Sequence, residues 1–156
     1  MSKKLQLKIV TPEKLILEEL VDQVTIPTTE GEITILPDHV PLIATIASGD
    51  IVAMSDGEHI PMEVVGGFVE TKKPARNALA GGEKDVTTVT ILADFAEHVS
   101  SISDVEIEKA KAKAEQLRKQ AENNEIIDFE HFETELERSL NRIKIADKWR
   151  TKKYRK

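Results

Sequence analysis

Cysteine is absent from all 156 residues. That removes disulfides, thiolate zinc sites, iron–sulfur ligation and a cysteine nucleophile together, and it is compatible with a reducing compartment. Aromatic residues are few, with one Trp, one Tyr and four Phe, so any core must be aliphatic. No stretch approaches the roughly 20 apolar residues that a membrane helix requires, and direct membrane insertion is not expected. Residues 1–9 move straight into alternating strand sequence. They lack the apolar segment of a signal peptide and the Arg/Ser-rich amphipathicity of a transit peptide, which predicts a cytoplasmic protein. Catalytic and metal-binding patterns are missing too. His39, His59, His98 and His131 are scattered without ligand spacing, and neither a phosphate-cradling Gly-rich loop nor a nucleophile elbow occurs. His39 has no nucleophile or orienting carboxylate assigned to it by sequence. No enzyme, metal site or required cofactor is expected.

Charge and composition divide the chain. Residues 1–100 hold 8 basic and 16 acidic side chains, whereas residues 101–156 hold 14 and 12. The last nine residues carry six of the basic ones, with Trp149 and Tyr154 among them. Such a tail suits contact with nucleic acid, an anionic membrane or an acidic protein face. The last is the best functional alternative to a solvated helix end whose cations suit the negative pole of the helix dipole. Nucleic acid is not an expected partner. Every Gly and Pro lies before residue 100, and Ala, Glu, Lys, Leu and Arg dominate afterwards. This predicts an α+β chain with a β domain over 1–102 and helices over 103–156.

In the first part, Leu5, Leu7 and Ile9 alternate with Gln6 and Lys8, as in a half-buried strand. Further strands are expected at 15–17, 21–26, 31–36, 51–54, 60–65, 68–70 and 86–92. Asp56-Gly57 signals a hairpin between two of them. Gly66-Gly67 marks a bulge or a close backbone approach. Short strands and frequent turns point to a sandwich or flattened barrel.

The second part opens at Ser103-Asp104-Val105-Glu106, a capping-box pattern. Ile107, Ala110, Ala114, Leu117 and Ala121 then form one helical stripe, ended by Asn123-Asn124. Asp128 is a candidate cap for a second helix with Phe129, Phe132, Leu136, Leu140 and Ile143 on one face. Two amphipathic helices with a short connection make an antiparallel hairpin. Its small-residue stripe buries little area, so the hairpin is expected to be only marginally stable alone.

Three blocks carry a family resemblance: residues 21–42 in the pattern Val-x-x-Val-x-x-Pro-x-x-x-Gly-x-x-x-x-Leu-Pro-x-His-x-Pro-Leu with related spacing, Val65-Gly66-Gly67-Phe68-Val69-Glu70, and Val89-Thr90-Ile91-Leu92-Ala93-Asp94. In this order they closely resemble the ε subunit of F-type ATP synthases, called δ in mitochondria, over nearly the whole chain. The resemblance implies a ten-stranded β sandwich followed by a two-helix hairpin. It implies a non-catalytic rotor subunit with the γ subunit and c-ring as partners, reaching the α/β subunits through an extended hairpin. It places the protein peripherally at the cytoplasmic face of the bacterial cell membrane, coupling proton transport to ATP synthesis and restraining hydrolysis. By the same resemblance Glu32, Asp38 and His39 face the c-ring, although Pro37 and Pro41 could equally serve only to shape a crossing. Residues 71–85 form a longer insertion than most relatives have, either a decoration or an added subunit contact. Some relatives bind ATP at the hairpin, and the nearest match here is Val105-Glu106-Ile107-Glu108-Lys109-Ala110 with Arg138 and Arg142. Glu106 stands where the family has Asp, and Lys109 where it has Arg, a swap that loses the planar fork. Helical spacing sets Arg138 nearly opposite the apolar stripe and Arg142 off it. A solvated face and a site for ATP as a regulatory ligand are therefore both open.

Overall fold

The computed structural model describes residues 3–73, 86–123 and 129–153. Ten strands come first: β1 (Leu5–Val10), β2 (Leu15–Val21), β3 (Gln23–Thr28), β4 (Gly31–Ile35), β5 (Leu42–Thr45), β6 (Gly49–Ser55), β7 (Glu58–Val65), β8 (Phe68–Lys72), β9 (Thr88–Leu92) and β10 (Phe95–His98). A 3₁₀ turn (Val99–Ser101) leads to α1 (Asp104–Glu122) and α2 (Phe129–Lys153). The chain forms two compact units, Met1–Glu97 and His98–Lys156.

The strands build two five-stranded sheets, ordered β2-β1-β9-β8-β5 and β10-β7-β6-β3-β4. β1 and β9 run parallel; β1–β2, β8–β9, β3–β4 and β6–β7 are antiparallel. Alternation decides which face is inside. Leu5, Leu7 and Ile9 are fully buried while Gln6 and Lys8 are not. Ile9 lies beside Ile91, which lies beside Val69. The second sheet contributes Val24, Ile26, Ile35, Ile51, Ala53, Met62 and Val64 to the same cluster. That cluster contains no aromatic residue, as the composition required. Facing inner surfaces of two sheets make the sandwich expected from the strand pattern.

Several local readings hold and several shift. Asp56 (φ +52°) and Gly57 (φ +84°) form the turn between β6 and β7, the positive φ pair that a two-residue hairpin needs. Gly67 has φ +115°, and a Cβ there would lie 2.8 Å from Ala93 Cα and against the Leu92 carbonyl, so the close approach is real. β3 continues through Pro27, which sits opposite Glu32. β8 extends to Lys72, and Thr71 is buried. The remainder of the long insertion, residues 74–85, lies outside the described residues. β5 and β10 were not marked as separate strands by pattern; at four residues each they are too short to show a period.

In the second unit, Ser103 caps α1. Its hydroxyl accepts from Glu106 N, while Glu106 Oε2 accepts from Ser103 N at 2.7 Å. Asn123 is the C-cap. Asp128 lies outside the described residues. Along α1, Ile107, Ala110 and Leu117 are buried and Ala114 is half-buried, whereas Ala121, at the end of the expected stripe, is exposed. On α2 the stripe needs correction. Leu140 is 52% exposed, while Ile145 and Ala146 are buried. The inner line runs through Phe132, Leu136, Ser139, Ile143 and Ala146, each buried or half-buried. Its spacings of 4, 3, 4 and 3 follow the helical period. Choosing the large Leu140 over the small Ser139 rotates the inferred face, and volume was the wrong guide because the two helices lie close.

Candidate functional site

The rotation of α2 matters most for its arginines. Turning the inner face toward Ser139 brings Arg142 to its half-buried flank, while Arg138 stays exposed. Both line a cleft of about 400 Å³ between α1 and α2, together with Glu106 and Lys109. All four residues singled out from the degraded motif therefore line one concavity, with Arg142 half-buried and Arg138 still exposed to solvent. The Arg142 side chain is only 19% exposed, and its Nη1 lies 3.8 Å from Glu106 Oε1.

Three further residues complete the electrostatics of the cleft: Lys113, His131 and Glu135. Lys113 Nζ donates to Glu135 Oε1 at 2.9 Å, bridging the two helices. His131 Nε2 is 3.8 Å from the same carboxylate oxygen. Sequence reading missed these residues. Their signal was nevertheless present, since Lys113 is one turn beyond Lys109 and Glu135 is two turns before Arg142, the spacings that share a helix face.

Both carboxylates are held below the ordinary range of a glutamate. For Glu106 the main cause is the hydrogen bond from the Ser103 backbone N–H, then the Ser103 hydroxyl, with Arg142 and Lys109 adding attraction. For Glu135 the cause is first the Lys113 hydrogen bond, with Lys113, His131 and Arg138 contributing charge. Four permanent cations thus face two ionised carboxylates. The cleft carries a net positive charge, and it can hold an anion. Among the described residues no group of His, Asp and Glu side chains is arranged to hold a metal ion.

A second candidate region lies on the sandwich, where β4 at the edge of one sheet crosses to β5 at the edge of the other. Leu36-Pro37-Asp38-His39 closes a turn, with His39 N donating to Leu36 O at 3.1 Å. Pro37 and a following residue at φ +67°, Asp38, are what a type II turn calls for. Asp38 N also donates to the buried Thr87 hydroxyl at 2.8 Å. Its carboxylate meets Lys3 at 2.6 Å, an exposed pair that adds little stability. His39 Nδ1 lies 2.8 Å from Val40 O. Leu36 and Val40 flank this turn and are 50% and 60% exposed. Asp38 and His39 are therefore brought together on a rigid tip. Glu32 is not with them. It pairs with Pro27 near the start of β4, and the length of the strand separates it from the tip.

Residues 4–99 match the family described as the ATP synthase delta/epsilon chain, β-sandwich domain. The epsilon chain of Herpetosiphon aurantiacus is 35% identical over 142 residues, covering 91% of this chain and 93% of the relative. That of Halalkalibacterium halodurans is 37% identical over 143 residues, covering 91% and 96%. This chain belongs to the ATP synthase delta/epsilon family. As an epsilon chain it is an accessory subunit of the synthase and not a catalytic one, in keeping with the absence of catalytic patterns in its sequence. A chain of the Euglena gracilis mitochondrial ATP synthase, solved with OSCP, F1 and c-ring, superposes with a TM-score of 0.71 at 22% identity. It covers 92% of this chain and 81% of that one, a likeness of fold. Among the described residues no helix of this epsilon chain is long and apolar enough to cross a membrane.

Proposed function

We propose that this epsilon chain is the central-stalk subunit joining the γ subunit of the synthase to its c-ring, and that its helical hairpin restrains ATP hydrolysis by the α/β subunits. What carries the reading is the span of the similarity. Relatives named as epsilon chains align over 142 residues, so they share the hairpin as well as the sandwich. In this role the chain sits peripherally on the cytoplasmic face of a bacterial cell membrane and couples proton transport to ATP synthesis. The β4–β5 tip, with Asp38 and His39, and the opposite end of β4, with Glu32, are the two surfaces offered to the ring. Holding a polar tip in a proline-framed turn lowers the entropy lost on contact.

Because the chain has no cysteine, an introduced thiol is a unique probe. In an assembled synthase, Glu32→Cys or His39→Cys is expected to cross-link to a c subunit through a short bifunctional reagent. Failure at both positions in a complex that retains γ would remove the ring contact. The restraint is read separately, as ATP hydrolysis by an α/β/γ complex carrying either the full chain or residues 1–102. The truncated chain is expected to give the higher rate. Equal rates with both forms bound would leave a coupling clamp whose hairpin is not a brake.

A second reading concerns the hairpin cleft. Glu106, Lys109, Arg138 and Arg142 converge there, which favours ATP as a regulatory ligand whose phosphates lie against these cations. Ligand binding to one hairpin arrangement and not another would then set the balance between them.

A further inference from the structure

We infer that Thr87 is the residue that positions the β4–β5 tip for its partner, pinning a turn that the flanking strands alone leave free to swing. The inference deepens the proposed ring contact and rests on that reading for its consequence. The need for a pin follows from topology. β4 and β5, which carry the tip, lie at the edges of different sheets. They are five and four residues long, and each has a neighbouring strand on one side only. Leu36 and Val40 beside the turn are exposed, so apolar packing does not hold the tip either.

Turn geometry also leaves one donor over. The turn closes through its first carbonyl and last amide, Leu36 O and His39 N. The amide of Asp38, the third residue, takes no part in that bond. Asp38 stands at φ +67°, a left-handed conformation that is strained for a residue other than glycine. The Thr87 hydroxyl accepts the spare donor at 2.8 Å across 49 residues of chain. Thr87 is buried, so water does not compete freely for this bond.

Thr87 is itself anchored. Its carbonyl accepts from Gln6 N at 2.8 Å, and it immediately precedes β9, the central strand of the first sheet. One residue thereby ties the tip to the middle of a sheet and not to its edge. Threonine suits the position, because β-branching restricts its rotamers and holds the oxygen in place. A load on Asp38 or His39 passes through this hydroxyl to β1 and β9. Lys3 reaches Asp38 as well, but both partners of that ion pair are exposed, and such a contact is screened and easily exchanged.

Two measurements test the assignment. In the isolated full chain, amide exchange at Asp38 should be about tenfold or more slower than in an unstructured chain, although the residue is exposed. Thr87→Val should release that amide while Gln6 stays protected. Exchange at the free rate in the unsubstituted chain overturns the inference without any variant. The second measurement uses the assembled synthase carrying His39→Cys or Glu32→Cys, with γ retained. Thr87→Val should lower cross-linking to a c subunit about fivefold from His39→Cys and leave Glu32→Cys unchanged. Thr87→Ser, which keeps the hydroxyl, should restore the yield. An equal fall at both positions makes Thr87 only a stabiliser of the sandwich, and an unchanged yield at His39→Cys shows that the tip needs no pin. Either result overturns the inference while the ring contact stands. No cross-link from either position with Thr87 intact removes the ring contact, and with it the role assigned to Thr87.

Discussion

Gly67→Ala should destabilise the sandwich unit by about 3 kcal/mol, lowering the melting midpoint by about 10 °C or more. Two effects combine at this position. Its φ of +115° lies where an L side chain is strained. A Cβ there would also press on backbone, 2.8 Å from Ala93 Cα and against the Leu92 carbonyl. Backbone cannot swing aside as a side-chain tip can, so relief requires β8 to move away from β9. The same segment accepts a hydrogen bond from Ile46 N to Gly67 O at 2.8 Å, and a shift would disturb that link too. Gly57→Ala is the control. Gly57 has φ +84° with nothing within 4 Å of an added Cβ, so only the left-handed strain of about 1 kcal/mol applies. Urea melts of the two variants compare them directly. Equal losses would show that the close approach contributes nothing.

Arg138→Gln should weaken ATP binding about tenfold while leaving the thermal melt of the hairpin unchanged, because one charge-assisted hydrogen bond is lost from an exposed residue. Arg138→Lys should recover part of the loss, keeping charge but not the two-pronged geometry. Arg142 is less suitable for this purpose. It is largely covered and lies beside Glu106, so its removal changes helix packing along with ligand binding. Titration calorimetry and circular dichroism on the same samples separate the two contributions. Unchanged affinity in Arg138→Gln would mean that the phosphate chain does not lie in this cleft. A lowered melt with unchanged affinity would make Arg138 a packing residue.

Much of the fold was legible because its determinants are local. Alternation at Leu5, Leu7 and Ile9 named the buried face of β1, and Asp56-Gly57 named a hairpin through the backbone angles it permits. Ser103 with Glu106 named the start of α1 through two reciprocal hydrogen bonds. The family blocks around Pro37, Gly67 and Ile91 supplied the strand count that short elements could not. β5 and β10 escaped pattern reading, since four residues span too little of a period and their pairing partners are distant in sequence.

The candidate sites divide along the same line. The sequence by itself determined the absence of cysteine chemistry, the aliphatic core, the two-part organisation and the turn that carries Asp38 and His39. Each follows from composition or from a few consecutive residues. The separation of Glu32 from that turn was legible too, since the strand expected at 31–36 lies between them. Tertiary structure alone decided that the inner face of α2 passes through Ser139 and not Leu140. That small rotation brings Arg142 to the half-buried flank of the inner face, while Arg138 lines the hairpin cleft from an exposed position. A helix face is fixed by what packs against it, and one strand of sequence does not contain the partner's shape.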